Sequence, residues 1–207
     1  MEVGVSRLFL SVEIFIHCRY NRRREIWICG ENEMVIEINR DIEGSILDIG
    51  GGGECVIGQI YGDTVIAIDN SQDELDEAPN CCEKRLIDAT TLSFSDDSFD
   101  NVTFFYSLMY MTSDIQQDSI SEAVRVLKAG GMVYIWDTSI ESACPDAHVV
   151  DRDIRAGQLN IPVSYGIIKN ESQNAESILQ LLKTAGFLTI SITNKNGQFY
   201  IVAKKSR

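Results

Sequence analysis

The stretch SILDIGGGGECVIGQIYGDTVIAID, Ser45 to Asp69, constrains this chain more than any other. Four consecutive glycines, Gly50 to Gly53, follow the short apolar run Ile46 to Ile49, and a second run, Thr64 to Ile68, ends in the acid Asp69. Short apolar runs bounded by turn residues read as buried strands. Glycines in the turn after the first strand let the backbone take positive φ and approach a ligand closely. Asp69 stands 21 positions after Asp48, about the separation that one strand–helix–strand step requires. An acid ending the second strand accepts hydrogen bonds from a ribose diol. The layout predicts a nucleotide pocket and leaves open which nucleotide it serves.

The rest of the chain continues the alternation. A brief helix over Glu54 to Ile60 precedes the second strand, and a helix over Gln72 to Ala78 sits behind a Ser71 N-cap and ends at Pro79. Arg85 to Ile87, Asn101 to Tyr106 and Met132 to Trp136 read as further strands. Ile115 to Lys128 is the strongest helix, with a Ser113 cap and Gly130-Gly131 as its stop. Ala175 to Thr184 is the last helix, and Phe187 to Thr193 with Gln198 to Ala203 form a hairpin about the turn from Asn194 to Gly197. The expected fold is α/β and Rossmann-like: a mostly parallel seven-stranded sheet flanked by helices, with a C-terminal antiparallel hairpin. Residues 41–207 form this domain. Residues 1–40, where Phe9 to Ile16 and Glu33 to Ile38 alternate loosely as strand or helix, form an N-terminal segment expected to cap the pocket. Its basic run Arg19 to Glu25 reads as a solvated helix face. Residues 140–170, with no clear helical period, read as a substrate-side insert.

Charge sorts the nucleotides. The net charge is −13, and no Lys or Arg occurs from Asp41 to Glu83 or again from Leu86 to Val124. A surface so acidic argues against nucleic acid as a partner. ATP on a P-loop is excluded because no Gly-Lys-Ser/Thr follows the glycines. For NAD, Gly50 and Gly52 serve the fingerprint but Cys55 fills its sixth position, and the pyrophosphate would meet a tract with no base. S-adenosylmethionine, with a sulfonium, an ammonium and one carboxylate, suits an acidic pocket. Six cysteines form no C-x-x-C pair, and vicinal Cys81-Cys82 matches neither a structural bridge nor a zinc knuckle. Reduced thiols and no metal site are expected. With no apolar run of membrane-spanning length and no export signal, the expected location is cytoplasmic.

Four ordered stretches resemble the class I S-adenosylmethionine-dependent methyltransferases, closest to the branch with the ubiquinone/menaquinone-biosynthesis-type enzymes. They are ILDIGGGGE, VIAIDNS, LIDATTLSFSDDSFDNV and EAVRVLKAGGMVYIWD, covering about residues 45 to 137. The resemblance implies S-adenosylmethionine as cofactor and S-adenosylhomocysteine as product. It implies that Asp48, Gly50, Gly51 and Gly52 lie near the methionine part, that Asp69 binds the ribose, and that Asn70, Asp88 and Ala89 lie by the adenine. Tyr106 would lie near the methyl group. The chain departs from the pattern at Glu54, where many members have a third glycine, and at Ala129, where proline is usual.

Methyl transfer from a sulfonium is an in-line displacement that needs alignment and exclusion of water. A base is needed only where the acceptor loses a proton. His148, in the insert, and Tyr106 are the catalytic candidates. The expected function is methyl transfer to a small-molecule acceptor. The alternatives are a non-catalytic binding protein of the same fold and, behind it, an NAD-linked oxidoreductase.

Overall fold

The structure, a computed structural model, describes residues 17–21, 26–30, 34–141, 147–168 and 171–206. In chain order the strands are β1 His17–Asn21, β2 Ile26–Gly30, β3 Met34–Glu37, β4 Ile46–Ile49, β5 Val65–Asp69, β6 Glu83–Leu86, β7 Phe99–Phe105, β8 Leu127–Thr138, β9 Ala147–Ala156, β10 Leu159–Ile167, β11 Phe187–Lys195 and β12 Gln198–Lys205. The helices are α1 Val56–Tyr61, α2 Gln72–Glu77, α3 Ser113–Val126 and α4 Ala175–Thr184.

A seven-stranded sheet runs β11-β12-β8-β7-β4-β5-β6. The four pairings from β8 to β6 are parallel, and β12 pairs antiparallel with both β8 and β11. The sheet is therefore mixed. β4 lies inside it, between β7 and β5, and is buried at every residue, as a strand covered on both faces must be. Its side chains alternate between the two cores. Ile46 joins a cluster with Ile57, Phe105 and Trp136, while Leu47 and Ile49 join one with Ile120, Ala123, Ile178 and Leu182 of α3 and α4. The chain lays β5 and β6 on one side of β4, then returns to lay β7 and β8 on the other. Strand order reverses there, and the crevice beyond the carboxyl ends of β4 and β7 is where such sheets hold ligands.

A second, five-stranded sheet runs β1-β2-β9-β10, with β3 also paired to β9. Val150, Ile154, Ala156, Ile161, Val163 and Ile167 of β9 and β10 pack into the same core as Ile46 and Trp136. The insert is thus no irregular loop but a long hairpin about Gly157, which takes φ 63. Its signal is a two-residue period: Val150, Arg152, Ile154 and Ala156 are buried on one strand, Ile161, Val163 and Ile167 on the other. Arg152 and Pro162 interrupt that period as a sequence pattern. Pro162 is tolerated because β10 ends the sheet.

Other elements shift by a few residues. The N-cap of α3 is Thr112, not Ser113. Gly130-Gly131 do not stop this helix; the chain passes from Val126 straight into β8, and both glycines lie in that strand. A side chain at Gly131 would stand 2.9 Å from the Asp100 carbonyl oxygen, so the glycine is a condition of β8 lying against its neighbour. Arg19 to Asn21 lie on a strand rather than a helix face, and Arg22 to Glu25 and Phe9 to Ile16 lie outside the described residues. Among the described residues no helix is long and apolar enough to cross a membrane.

Candidate functional site

The glycine turn is held from behind. Gly50 N and Gly51 N both donate to the Ile68 carbonyl, at 2.9 and 3.0 Å. Gly52 N donates to Asp69 Oδ2 at 3.1 Å and Gly53 N to Glu74 Oε2 at 2.9 Å. Gly50 takes φ 71, and a Cβ there would stand 2.6 Å from Ser107 Cβ, so this position requires glycine twice over. Ser107 Oγ in turn donates to the Ile49 carbonyl at 2.7 Å, fixing the end of β7 against the end of β4.

Above the turn lies a cavity of about 630 Å³, within the range of small-molecule sites. Its two halves differ in chemistry. Gly50, Gly51, Gly52, Glu54, Asp69, Asn70, Ser71, Glu74, Asp88, Ala89 and Thr90 form an acidic half. Phe105, Tyr106, Tyr110, Met111, Ile115 and Tyr165 form an apolar, aromatic half. No Lys, Arg or His lines the cavity among the described residues. All four glycine N–H groups are already bonded within the protein, so the turn presents carboxylates rather than open donors.

Of the residues singled out from sequence, Gly50, Gly51, Gly52, Asp69, Asn70, Asp88, Ala89 and Tyr106 line this cavity. Asp69 Oδ1 accepts from Ser71 N at 2.9 Å, so each of its oxygens is aimed by one backbone N–H and keeps a lone pair. Asp88 Oδ1 accepts from Thr90 N and Thr90 Oγ1, at 2.8 and 2.7 Å, which holds its carboxyl below the ordinary range.

Two expected residues are not on the wall. Asp48 lies beneath the glycine turn, 1% exposed, where Thr103 Oγ1 donates to its Oδ1 at 2.6 Å. Burial pushes its pKa up to about 7, against the lowering effect of the Thr103 bond, and the nearby Cys82 and Asp69 add to the rise. His148 sits on β9, paired with Ile167, outside the cavity lining. Burial, then Arg152, lowers its pKa.

Tyr106 is buried with φ 50, and its hydroxyl donates to Gln198 Oε1. Gln198 Nε2 continues to Thr138 Oγ1 at 2.7 Å. The Tyr106 ring stacks on Tyr165 of β10, with centroids 5.4 Å apart. Tyr106 is therefore a fixed piece of wall whose proton is already engaged.

Glu54, which the glycine pattern sets beside the cofactor, and Tyr110, a candidate to orient an acceptor, also lie on the wall, as do Glu74 and Tyr165, which the sequence reading did not place there. Burial, with the charges of Glu74 and Glu77, raises the Glu54 pKa. Tyr110 is pushed up to about 12, chiefly by burial. Glu54 and Glu74 had a signal in the basic-free tract; Tyr165 had only the two-residue period of β10. Cys55, adjoining Glu54, turns away from the cavity and is fully buried in the core.

Residues 47–135 match the family described as methyltransferase domain. No curated protein matches the chain. A S-adenosylmethionine-dependent methyltransferase from Methanosarcina mazei superposes with a TM-score of 0.56 at 19% identity, over 80% of this chain and 94% of that one. One from Clostridium acetobutylicum gives 0.57 at 15% identity, over 80% and 85%. The [4+2]-cyclase SpnF gives 0.57 at 17% identity, over 80% and 76%. The chain thus has the α/β fold of the S-adenosylmethionine-dependent methyltransferases, and its β4-to-β8 region matches the methyltransferase domain family.

Proposed function

We propose that the chain binds S-adenosylmethionine in this cavity and transfers its methyl group to an apolar or planar small molecule. The observation that carries the reading is the acidic half: Glu54, Asp69, Glu74 and Asp88 on the wall, with no Lys, Arg or His lining the cavity among the described residues. A dinucleotide pyrophosphate would meet four carboxylates and a glycine turn whose donors are engaged. A cofactor of net positive charge is attracted by the same wall.

S-adenosylmethionine, when bound, supplies an electrophilic methyl group on a cationic sulfur. The Asp69 lone pairs take the ribose hydroxyls, with Asn70, Asp88 and Ala89 along the adenine. Gly50, Gly51 and Gly52 admit the methionine end because they carry no side chains, and Glu54 and Glu74 meet its ammonium. Tyr106, Tyr165 and Met111 present apolar area to the acceptor and exclude water from the displacement. The engaged hydroxyl makes Tyr106 a positioning group, and His148 is assigned no proton transfer. Where the acceptor must lose a proton, Glu54 is the wall carboxylate whose proton affinity is raised. An aromatic acceptor half is in keeping with the quinone-type branch. Tyr165 and Gly166 of the insert close the acceptor side in this reading.

Calorimetric titration with S-adenosylmethionine, S-adenosylhomocysteine and NAD tests the reading. Binding of the two sulfur compounds without NAD is expected. Binding of NAD alone would overturn it. The [4+2]-cyclase of this fold makes acceptor-dependent formation of S-adenosylhomocysteine the second requirement.

A further inference from the structure

Cys55, at the end of the glycine turn, and Cys81 and Cys82, just before β6, converge behind α1. Cys55 Sγ lies 3.4 Å from Cys82 Sγ and 3.7 Å from Cys81 Sγ, and all three sulfurs fall within 4.8 Å of one another. Two features of the backbone serve this convergence. Cys55 takes φ 46, a left-handed conformation that a residue with a Cβ adopts only under strain. Gly58 sits inside a six-residue helix, where glycine costs about 0.5–1 kcal/mol relative to alanine. A Cβ at Gly58 would stand 2.5, 2.6 and 3.1 Å from the sulfurs of Cys55, Cys82 and Cys81. Only a hydrogen leaves the three sulfurs their space.

We propose that Cys55, Cys81 and Cys82 form a three-thiolate site for a soft monovalent cation, Cu(I). Three sulfurs in a plane around an ion at about 2.3 Å stand about 4 Å apart. The sulfurs already lie close to that spacing, so binding asks for small side-chain shifts. No fourth His, Cys, Asp or Glu joins the group among the described residues. Four-coordinate zinc would lack a protein ligand, whereas thiolates select Cu(I). Cys55 is buried and the other two are half-buried, which gives the ion one side of entry. Lys84 Nζ, fixed by the carbonyls of Leu75 and Ala78 at 2.8 and 2.6 Å, sets a positive charge near Cys82. On binding, each thiol releases its proton to solvent as its sulfur–copper bond forms; the copper stays cuprous and no electron moves. The site is separate from the cavity and does not depend on the methyl-transfer reading.

The test uses the full chain, reduced and anaerobic, titrated with Cu(I) alone against a chromophoric cuprous chelator. The background variant carries Cys18→Ser, Cys29→Ser and Cys144→Ser, so that only the cluster can respond. One Cu(I) per chain is expected, with X-ray absorption showing three sulfurs at about 2.3 Å. Cys81→Ser and Cys82→Ser, at half-buried positions, should each weaken binding at least about 100-fold while far-UV circular dichroism stays unchanged. Loss of binding in the background variant, or affinity unchanged by Cys81→Ser and Cys82→Ser, overturns the proposal. X-ray absorption on the unmutated chain decides independently of how the variants fold: two sulfurs, or nitrogen ligands, overturn it too.

Discussion

Asp48→Asn isolates the energetic consequence of burying a carboxyl beneath the glycine turn. The Asp48 pKa is about 7 in the folded chain, against about 3.9 when unfolded. Below about pH 4 the carboxyl is protonated in both states. Between there and pH 7 only the folded state keeps the proton, so stability from this group falls as pH rises and levels off above the folded pKa. About three pH units at about 1.4 kcal/mol each give a swing of about 4 kcal/mol. The asparagine variant has no such dependence. Its stability minus that of the unmutated protein should therefore climb by about 1.4 kcal/mol per pH unit from about pH 5 to 7, then flatten. Carboxyls shifted the other way, such as Asp100 beside Lys128 at about 2, are common to both proteins and cancel. Urea unfolding at a series of pH values, with midpoints compared at equal m, measures the difference. A difference that stays constant from pH 5 to 8 would show that Asp48 titrates as an exposed acid does and would refute the reasoning.

Asp69→Ala should weaken S-adenosylmethionine binding at least about tenfold, because it removes the ribose acceptor and the Gly52 anchor together; calorimetry showing unchanged affinity would sink the ribose assignment. Gly50→Ala should destabilise the fold by about 2–4 kcal/mol, read by thermal or urea unfolding, since its Cβ meets Ser107 Cβ at 2.6 Å with φ at 71. His148→Ala should leave cofactor affinity and methyl-transfer rate within about twofold, as surface and off-site changes do, whereas Tyr165→Ala should raise the acceptor KM without a matching loss of cofactor affinity. A large rate loss in His148→Ala would return that residue to the mechanism.

Much of the main sheet is legible because its inner strands β4 and β7 are buried nearly throughout. β4 occupies the expected residues, and α4, with its Asn174 capping box, matches residue for residue. The final hairpin is equally local: Asn196 and Gly197, at φ 51 and 76, form the two-residue turn between β11 and β12. Gly130-Gly131 mislead because a glycine pair after a helical period signals a stop, while here it serves close approach of strands. β9 and β10 escape because Arg152 is buried where an apolar residue would have completed the alternation.

The wall divides the same way. Gly50, Gly52 and Asp69 are readable because a tight turn and a strand end are local events, set by φ and by spacing along the chain. These features, with the acidic tract that favours a cationic cofactor, follow from the order of residues along the chain. Only the folded chain shows that Asp48 lies under the turn, that His148 is not among the residues lining the cavity, and that Tyr165 stacks on Tyr106 from a second sheet. It alone brought Cys81 and Cys82 onto Cys55. The contacts of Asp48 with Thr103, of Tyr165 with Tyr106 and of Cys55 with Cys81 and Cys82 join residues 26 or more positions apart, and no pattern along the chain encodes which face of one element meets which face of another.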